Sequence, residues 1–162
     1  MLNQHHGLFN AYWAWVEDWI AHAFDTGEMR TSFGWRMCTG VTEFNARSIG
    51  NWPTQSAGAD ILRVACVWAH RRGVQLIGSV HDAVVIEAPI DRIEADVALM
   101  QEIMRRASRV VLNADANGPY ELRTDATIVR YPDRYMDKRG VEMWTRALEL
   151  LGQFTKQKRR TA

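Results

Sequence analysis

The stretch "LIGSVHDAVVIEAP", Leu76 to Pro89, constrains this chain more than any other. Two apolar, β-branched runs flank a His81-Asp82 pair. That spacing predicts two antiparallel strands, Val74 to Val80 and Ala83 to Glu87, joined tightly at the pair, with Pro89 stopping the second. Burying an unpaired carboxylate costs several kcal/mol, so Asp82 needs a reason to be there. It holds a metal ion, a basic partner, or only water at the tip of a turn, a place where Asp is favoured in any case.

Around this hairpin the pattern is helical. Phe9, Tyr12, Trp13, Val16, Trp19, Ile20 and Phe24 recur at three- and four-residue steps and predict a helix over Leu8 to Phe24. "DTGEMRTSFGWRMCTG" reads as another hairpin: Asp25-Thr26-Gly27 ends the helix and Phe33-Gly34 turns the chain. Thr42 to Trp52 is expected to be irregular. Pro53 suits the first position of a helix and Gly73 its close. Ala57, Ile61, Val64, Ala65 and Trp68 share one face of it, with Arg63, His70, Arg71 and Arg72 on the other side or at the end, where positive charge complements the helix dipole.

Ile90 to Leu112 is strongly amphipathic. "NADANGP" reads as a loop, Tyr120 to Arg130 as a strand, "YPDRYMDKRG" as a turn-rich connection, and Val141 to Phe154 as a last helix. The fold class is therefore α+β, a small antiparallel sheet packed against long helices. Residues 1–155 form one domain, and 156–162, beginning "KQKRR", a solvated or frayed basic tail.

A chain of 162 residues can bury a real core, and a net charge of +1 means that any surface for nucleic acid is local. Trp13, Trp15, Trp19, Trp35 and Trp52 crowd the first third of the chain and are assigned to core and interface packing. Cys38 and Cys66 stand apart, which argues against structural zinc and suits a reducing cytoplasm. No apolar run approaches the ~18 residues of a membrane span, and "MLNQHHGLFN" lacks the layout of a signal peptide. The expected location is the cytoplasm.

A second constellation is "RSIGNWPTQ", in which Arg47, Asn51 and Gln55 are spaced four apart. All three donate hydrogen bonds. Every Watson–Crick pair presents similar acceptors in the minor groove, so such donors suit a protein that holds any duplex sequence. Alternatively, Asn51 caps the Pro53 helix and Gln55 is merely its third residue.

Taken together, "RSIGNWPTQSAGADILRVA" followed by "VHDAVVIEAP" resembles the palm of family A DNA polymerases, the bacterial DNA polymerase I type. There an Arg-x3-Asn-x3-Gln segment opens a long helix, and a Val-His-Asp hairpin carries one of two metal-binding aspartates. "GEMRTSFGWRMCTG" looks like the segment preceding that helix, and "ELRTDATIVRYPDRYMDKRGVEMW" resembles the C-termini of phage and prophage members, so the resemblance covers nearly the whole chain. It implies that Asp82 binds catalytic Mg²⁺, that His81 helps position the primer end, and that Arg47, Asn51 and Gln55 contact primer–template DNA. Two positions depart from the family pattern. Ala83 stands where Glu is common, which tunes the metal site, and Ser56 replaces the usual Gly.

Two-metal nucleotidyl transfer needs ions about 3.5–4 Å apart, and one carboxylate cannot hold both against their mutual repulsion. By the resemblance, the second aspartate sits in an Asp-Tyr-Ser-like motif and the incoming deoxynucleoside triphosphate meets a fingers helix. Neither is found in this sequence. Asp60 and Glu87 are the nearest other carboxylates along the chain, and neither is expected beside Asp82. The chain is therefore read as the C-terminal palm part of a polymerase, inert alone: one half of a split enzyme completed by an N-terminal polymerase chain, a prophage remnant, or an incomplete gene. Two rivals stand beside this reading. One is a phosphohydrolase of the HD type, for which His5, His6, His22 and His70 have no matching layout. The other is a non-catalytic duplex-DNA-binding module.

Overall fold

The computed structural model describes residues 2–39, 45–113, 118 and 120–160. Parts of the expected irregular stretch (42–44), of the "NADANGP" loop (114–117 and 119) and of the tail (161–162) lie outside the described residues. Two compact units divide the chain, residues 1–126 and 127–162.

The first unit opens with α1 (Leu2–Leu8), which was not expected, and α2 (Asn10–Thr26), the helix expected over Leu8 to Phe24. The division falls at Phe9, whose φ of −117° and ψ of 42° are not helical. Four-residue backbone bonds still lead into and out of it, from Phe9 N–H to His5 and from Trp13 N–H to Phe9. Gly27 ends α2 as the sequence indicates: at φ 70° its N–H donates to the carbonyl of Ala23. Strands β1 (Glu28–Arg30) and β2 (Arg36–Cys38) then pair antiparallel, with Met29 opposite Met37.

The long helix α3 (Ala46–Arg71) corrects two expectations. Residues 46–52 are helical, and Pro53 lies inside the helix instead of opening it. The true cap is Asn45, whose Oδ1 accepts from Ser48 N–H at 2.8 Å. An interior proline costs about 3 kcal/mol. Packing on both sides of it offsets that: Ile49 and Gly50 are buried before it, and Ile61, Ala65 and Ala69 after it. Full burial of a residue such as Ile49 alone contributes about 1.5–3 kcal/mol. Gly73 closes the helix in a Schellman motif, with Val74 N–H on the carbonyl of Ala69 and Gly73 N–H on that of His70.

Strands β3 (Gln75–Val80) and β4 (Ala83–Glu87) form the expected hairpin. Its register runs Gln75–Glu87 and Leu76–Ile86, then shifts, so that Gly78 faces Val85 and Val80 faces Ala83. Ile77 is thus the extra residue of a β-bulge. Helix α4 (Ile93–Val111) completes the unit.

Two cores result. Ala23, Met29 and Ile49, with Trp19, Ile20, Met37 and Trp52 against them, join α2, the first hairpin and the start of α3. Ile61, Ala65, Ala69, Val74, Met100, Ile103, Ala107 and Val111 join the rest of α3 to α4, with Leu76, Val84 and Ile86 of the second hairpin packed on them. The early tryptophans split accordingly. Trp19 and Trp52 serve the core, while Trp15 and Trp35 are exposed.

Tyr120 to Arg130 is not a strand. Within the first unit this segment is tied to α4 by side chains and joins no ladder: Ser108 Oγ accepts from Leu122 N–H at 3.0 Å, and Gln101 Nε2 donates to the Thr124 carbonyl at 2.9 Å. In the second unit a 3-10 turn (Lys138–Gly140) leads into α5 (Val141–Arg160), which carries helical backbone well into the expected basic tail. No helix among the described residues is long and apolar enough to cross a membrane.

Candidate functional site

His81 and Asp82 are the whole of the turn between β3 and β4, since Val80 and Ala83 already pair. His81 has φ 55°, and Asp82 does not share the positive sign. A positive φ at the first corner alone is the pattern of a type II′ turn, whose first corner glycine usually holds. A non-glycine residue in left-handed backbone costs roughly 1–2 kcal/mol. Strain of that kind, kept in place by two paired strands, gathers at functional positions. Both side chains are exposed.

The hairpin presents Leu76, Val84 and Ile86 to the α3–α4 core, so the tip is held by a packed base. Glu87 pairs with Gln75 at that base, five residues from Asp82 and therefore roughly 15 Å away along the strand. Asp60 is engaged through one oxygen, its Oδ2 being buried without a hydrogen-bond partner among the described residues. It is 2% exposed and its Oδ1 accepts from Arg63 Nη1 at 2.5 Å. The Arg63 guanidinium in turn lies 4.1 Å from the ring centroid of Trp35, beyond β1. Glu87 is thus not beside Asp82, and Asp60 is buried and engaged by Arg63. Among the described residues no three His, Cys, Asp or Glu side chains are grouped to hold a metal ion. His5 and His6 lie on α1, His22 on α2 and His70 in the last turn of α3.

Arg47, Asn51 and Gln55 fall within one helix, α3, and all three are exposed. Each step of four residues rises about 6 Å and drifts about 40°, so the side chains make a shallowly slanted row. With Asn45 as the cap, Asn51 is left free of capping and Gln55 is no longer a first-turn residue. The bland explanation for both is gone. Arg47 and Ala65 are eighteen residues apart, five turns of helix. The row therefore continues, toward the N-terminus, the side of α3 that later packs on α4 and the hairpin.

Gly50 sets the approach of α2 to this helix, since a Cβ there would meet Val16 Cγ1 at 2.9 Å. Sequence reading misses it, although a glycine in mid-helix signals either a cost or a close neighbour.

Chemically, the row offers neutral and cationic donors for duplex acceptors. The turn offers one hard carboxylate, which suits Mg²⁺ bound by one or two carboxylates and substrate phosphates.

No family model matches the chain. Over 106 residues it is 33% identical to the thermostable DNA polymerase I of Thermus filiformis, covering 58% of this chain and 13% of that protein. Over 103 residues it is 33% identical to the corresponding enzyme of Thermus thermophilus, covering 56% of this chain and 12% of the relative. The chain therefore spans about an eighth of the length of these relatives. Its fold matches the POL domain of Pol1 from M. smegmatis, determined in complex with DNA primer-template and dNTP. The TM-score is 0.57 at 22% identity, over 65% of this chain and 21% of that one. Its homologues are thus DNA polymerases I, DNA-directed nucleotidyltransferases.

Proposed function

We propose that this chain, homologous to DNA polymerase I over more than half its length, is the C-terminal palm portion of a family A DNA polymerase of the phage or prophage type, working in DNA replication. The observation that carries the reading is the exposed Asp82 beside a positive-φ His81, on a two-residue turn whose strands are packed on α3 and α4.

In the working enzyme the primer 3′-oxygen bonds to the α-phosphorus of a deoxynucleoside triphosphate and pyrophosphate leaves. Asp82 supplies one carboxylate ligand to Mg²⁺, which when bound neutralises charge on the triphosphate. His81, fixed by the turn, positions the primer terminus. Arg47, Asn51 and Gln55 donate to the minor-groove edge and backbone of the primer–template duplex, holding it without reading its sequence. A second carboxylate and the groups that bind the triphosphate come from other polymerase sequence, such as a complementing N-terminal chain.

The test is primer extension by this chain mixed with a polypeptide carrying those parts. Asp82→Ala should cut extension by three orders of magnitude or more, while duplex affinity changes less than about twofold. Full extension by the variant would sink the metal assignment, and extension by the chain unaided would sink its dependence on further sequence. Gln55→Ala should instead weaken hold on a paired primer terminus by about 1 kcal/mol, roughly fivefold.

That no three His, Cys, Asp or Glu side chains among the described residues are grouped to hold a metal ion favours one other reading, a non-catalytic duplex-binding module left by a prophage. Salt-sensitive duplex binding that survives Asp82→Ala and needs no partner polypeptide would select it.

A further inference from the structure

A second basic feature lies at the opposite end of α3 from Arg47. Trp68, Arg71 and Arg72 follow one another at helical spacing there, and Arg106 of α4 faces them across a half-open cavity of about 330 Å³ lined by these four residues. From Arg47 to Arg71 the helix rises about 36 Å, so the cavity is remote from the polar row.

The three guanidinia differ from several others of the chain. Arg63, Arg92, Arg105 and Arg146 each meet a carboxylate on their own helix or at its cap. Arg71, Arg72 and Arg106 have none within ion-pair distance among the described residues, and all three are exposed. Arg106 is not loose, because its guanidinium stands 5.7 Å from the centroid of Trp68. Trp68 is itself partly buried against the α3–α4 core. The indole thus holds one guanidinium at the cavity that Arg71 and Arg72 also line. Three like charges beside one cavity without a counter-charge repel one another, and an anion bridging them relieves that repulsion. Guanidinium forks match the oxygens of phosphate in pairs, a geometry lysine does not offer.

We propose that this cavity is a phosphate site, in which Arg71, Arg72 and Arg106 take a phosphodiester of a polynucleotide strand and Trp68 serves as a positioning residue. The site uses neither Asp82 nor the Arg47 row, so its failure and that of the polymerase reading are separable.

The experiment measures binding of a labelled single-stranded oligothymidylate to the full chain by fluorescence anisotropy across a salt series. Arg71→Gln/Arg72→Gln and Arg106→Gln should each weaken binding several-fold. The double variant should also lower the slope of log K against log salt by up to about 0.7, the share of the one phosphate this site takes. Arg106→Lys should recover only part of the affinity. Circular dichroism of the variants should be unchanged, since the substituted side chains are exposed.

Unchanged affinity and slope in the triple variant Arg71→Gln/Arg72→Gln/Arg106→Gln would overturn the proposal. So would competition by polyglutamate as effective as by a strand of equal charge. A titration with inorganic phosphate, followed by phosphorus NMR, separates the sources. Phosphate binding abolished in the triple variant while strand binding is kept would make the cavity a small-anion site and overturn the strand assignment.

Discussion

Gly50 of α3 lies so close to Val16 of α2 that the Cβ of any larger residue would stand 2.9 Å from the valine Cγ1. Val16 is buried and cannot swing clear. Gly50→Ala would gain about 1 kcal/mol of helix propensity and lose about 1–3 kcal/mol to overpacking. The expected net is a destabilisation of about 1 kcal/mol in urea unfolding, largely recovered in Gly50→Ala/Val16→Ala. A stabilised single variant would mean that the two helices are not held at this distance.

The strain at His81 makes a stability prediction independent of catalysis. Glycine accepts φ 55° freely, but gives back about 0.5–1 kcal/mol in unfolded-chain entropy. His81→Gly should therefore be neutral or slightly stabilising, and His81→Val, β-branched at positive φ, should cost about 1–2 kcal/mol more. Equal melting temperatures for the two variants would refute the turn conformation.

Ser108 is fully buried, donates to the Arg105 carbonyl and accepts from Leu122 N–H. Ser108→Ala should cost about 1 kcal/mol. Its signature is local, because exchange of the Leu122 amide should quicken while amides of β3 and β4 keep their protection. Uniform loss of protection would assign the serine a global role instead.

Burial pushes the Cys66 thiol above its ordinary range. Because the folded pKa is raised, the neutral thiol is the form the fold favours. Stability from this group is fully present below the unfolded thiol pKa and falls as pH rises through the folded one. In a Cys38→Ser background, the pH at which alkylation of Cys66 reaches half its maximum should lie higher in the folded chain than in urea. Coincident profiles would show that the thiol is solvated.

The second hairpin is legible because its signals are local. Two β-branched runs separated by His81-Asp82 favour pairing at the tip, and the same logic finds β1, β2 and the Gly27 and Gly73 helix ends. The start of helix α3 is not, because Pro53 imitates a first-turn residue, whereas the deciding contacts, Ile49 and Gly50 on α2, come from elsewhere in the chain. Tyr120 to Arg130 has strand-like composition, but what its backbone meets is the side chains of Ser108 and Gln101 on α4. No pattern within the segment announces that. Of the candidate site, the adjacency of His81 and Asp82 and the row on α3 can be read from spacing. The left-handed histidine and the Trp68–Arg106 approach across two helices cannot.

The displaced register at Ile77 has a consequence for how this protein tolerates insertions and deletions. Before it, Leu76 lies opposite Ile86. Beyond it, Ser79 lies opposite Val84, and Ile77 itself is left 62% exposed. Removing that residue would restore an even ladder in which Gly78 still meets Val85 and Ser79 still meets Val84, so no side chain changes side, and the tip would lose the bend and added twist that set the acid's heading. Loops elsewhere can change length at little expense, but this strand is metered to the single residue, as a gun sight is shimmed.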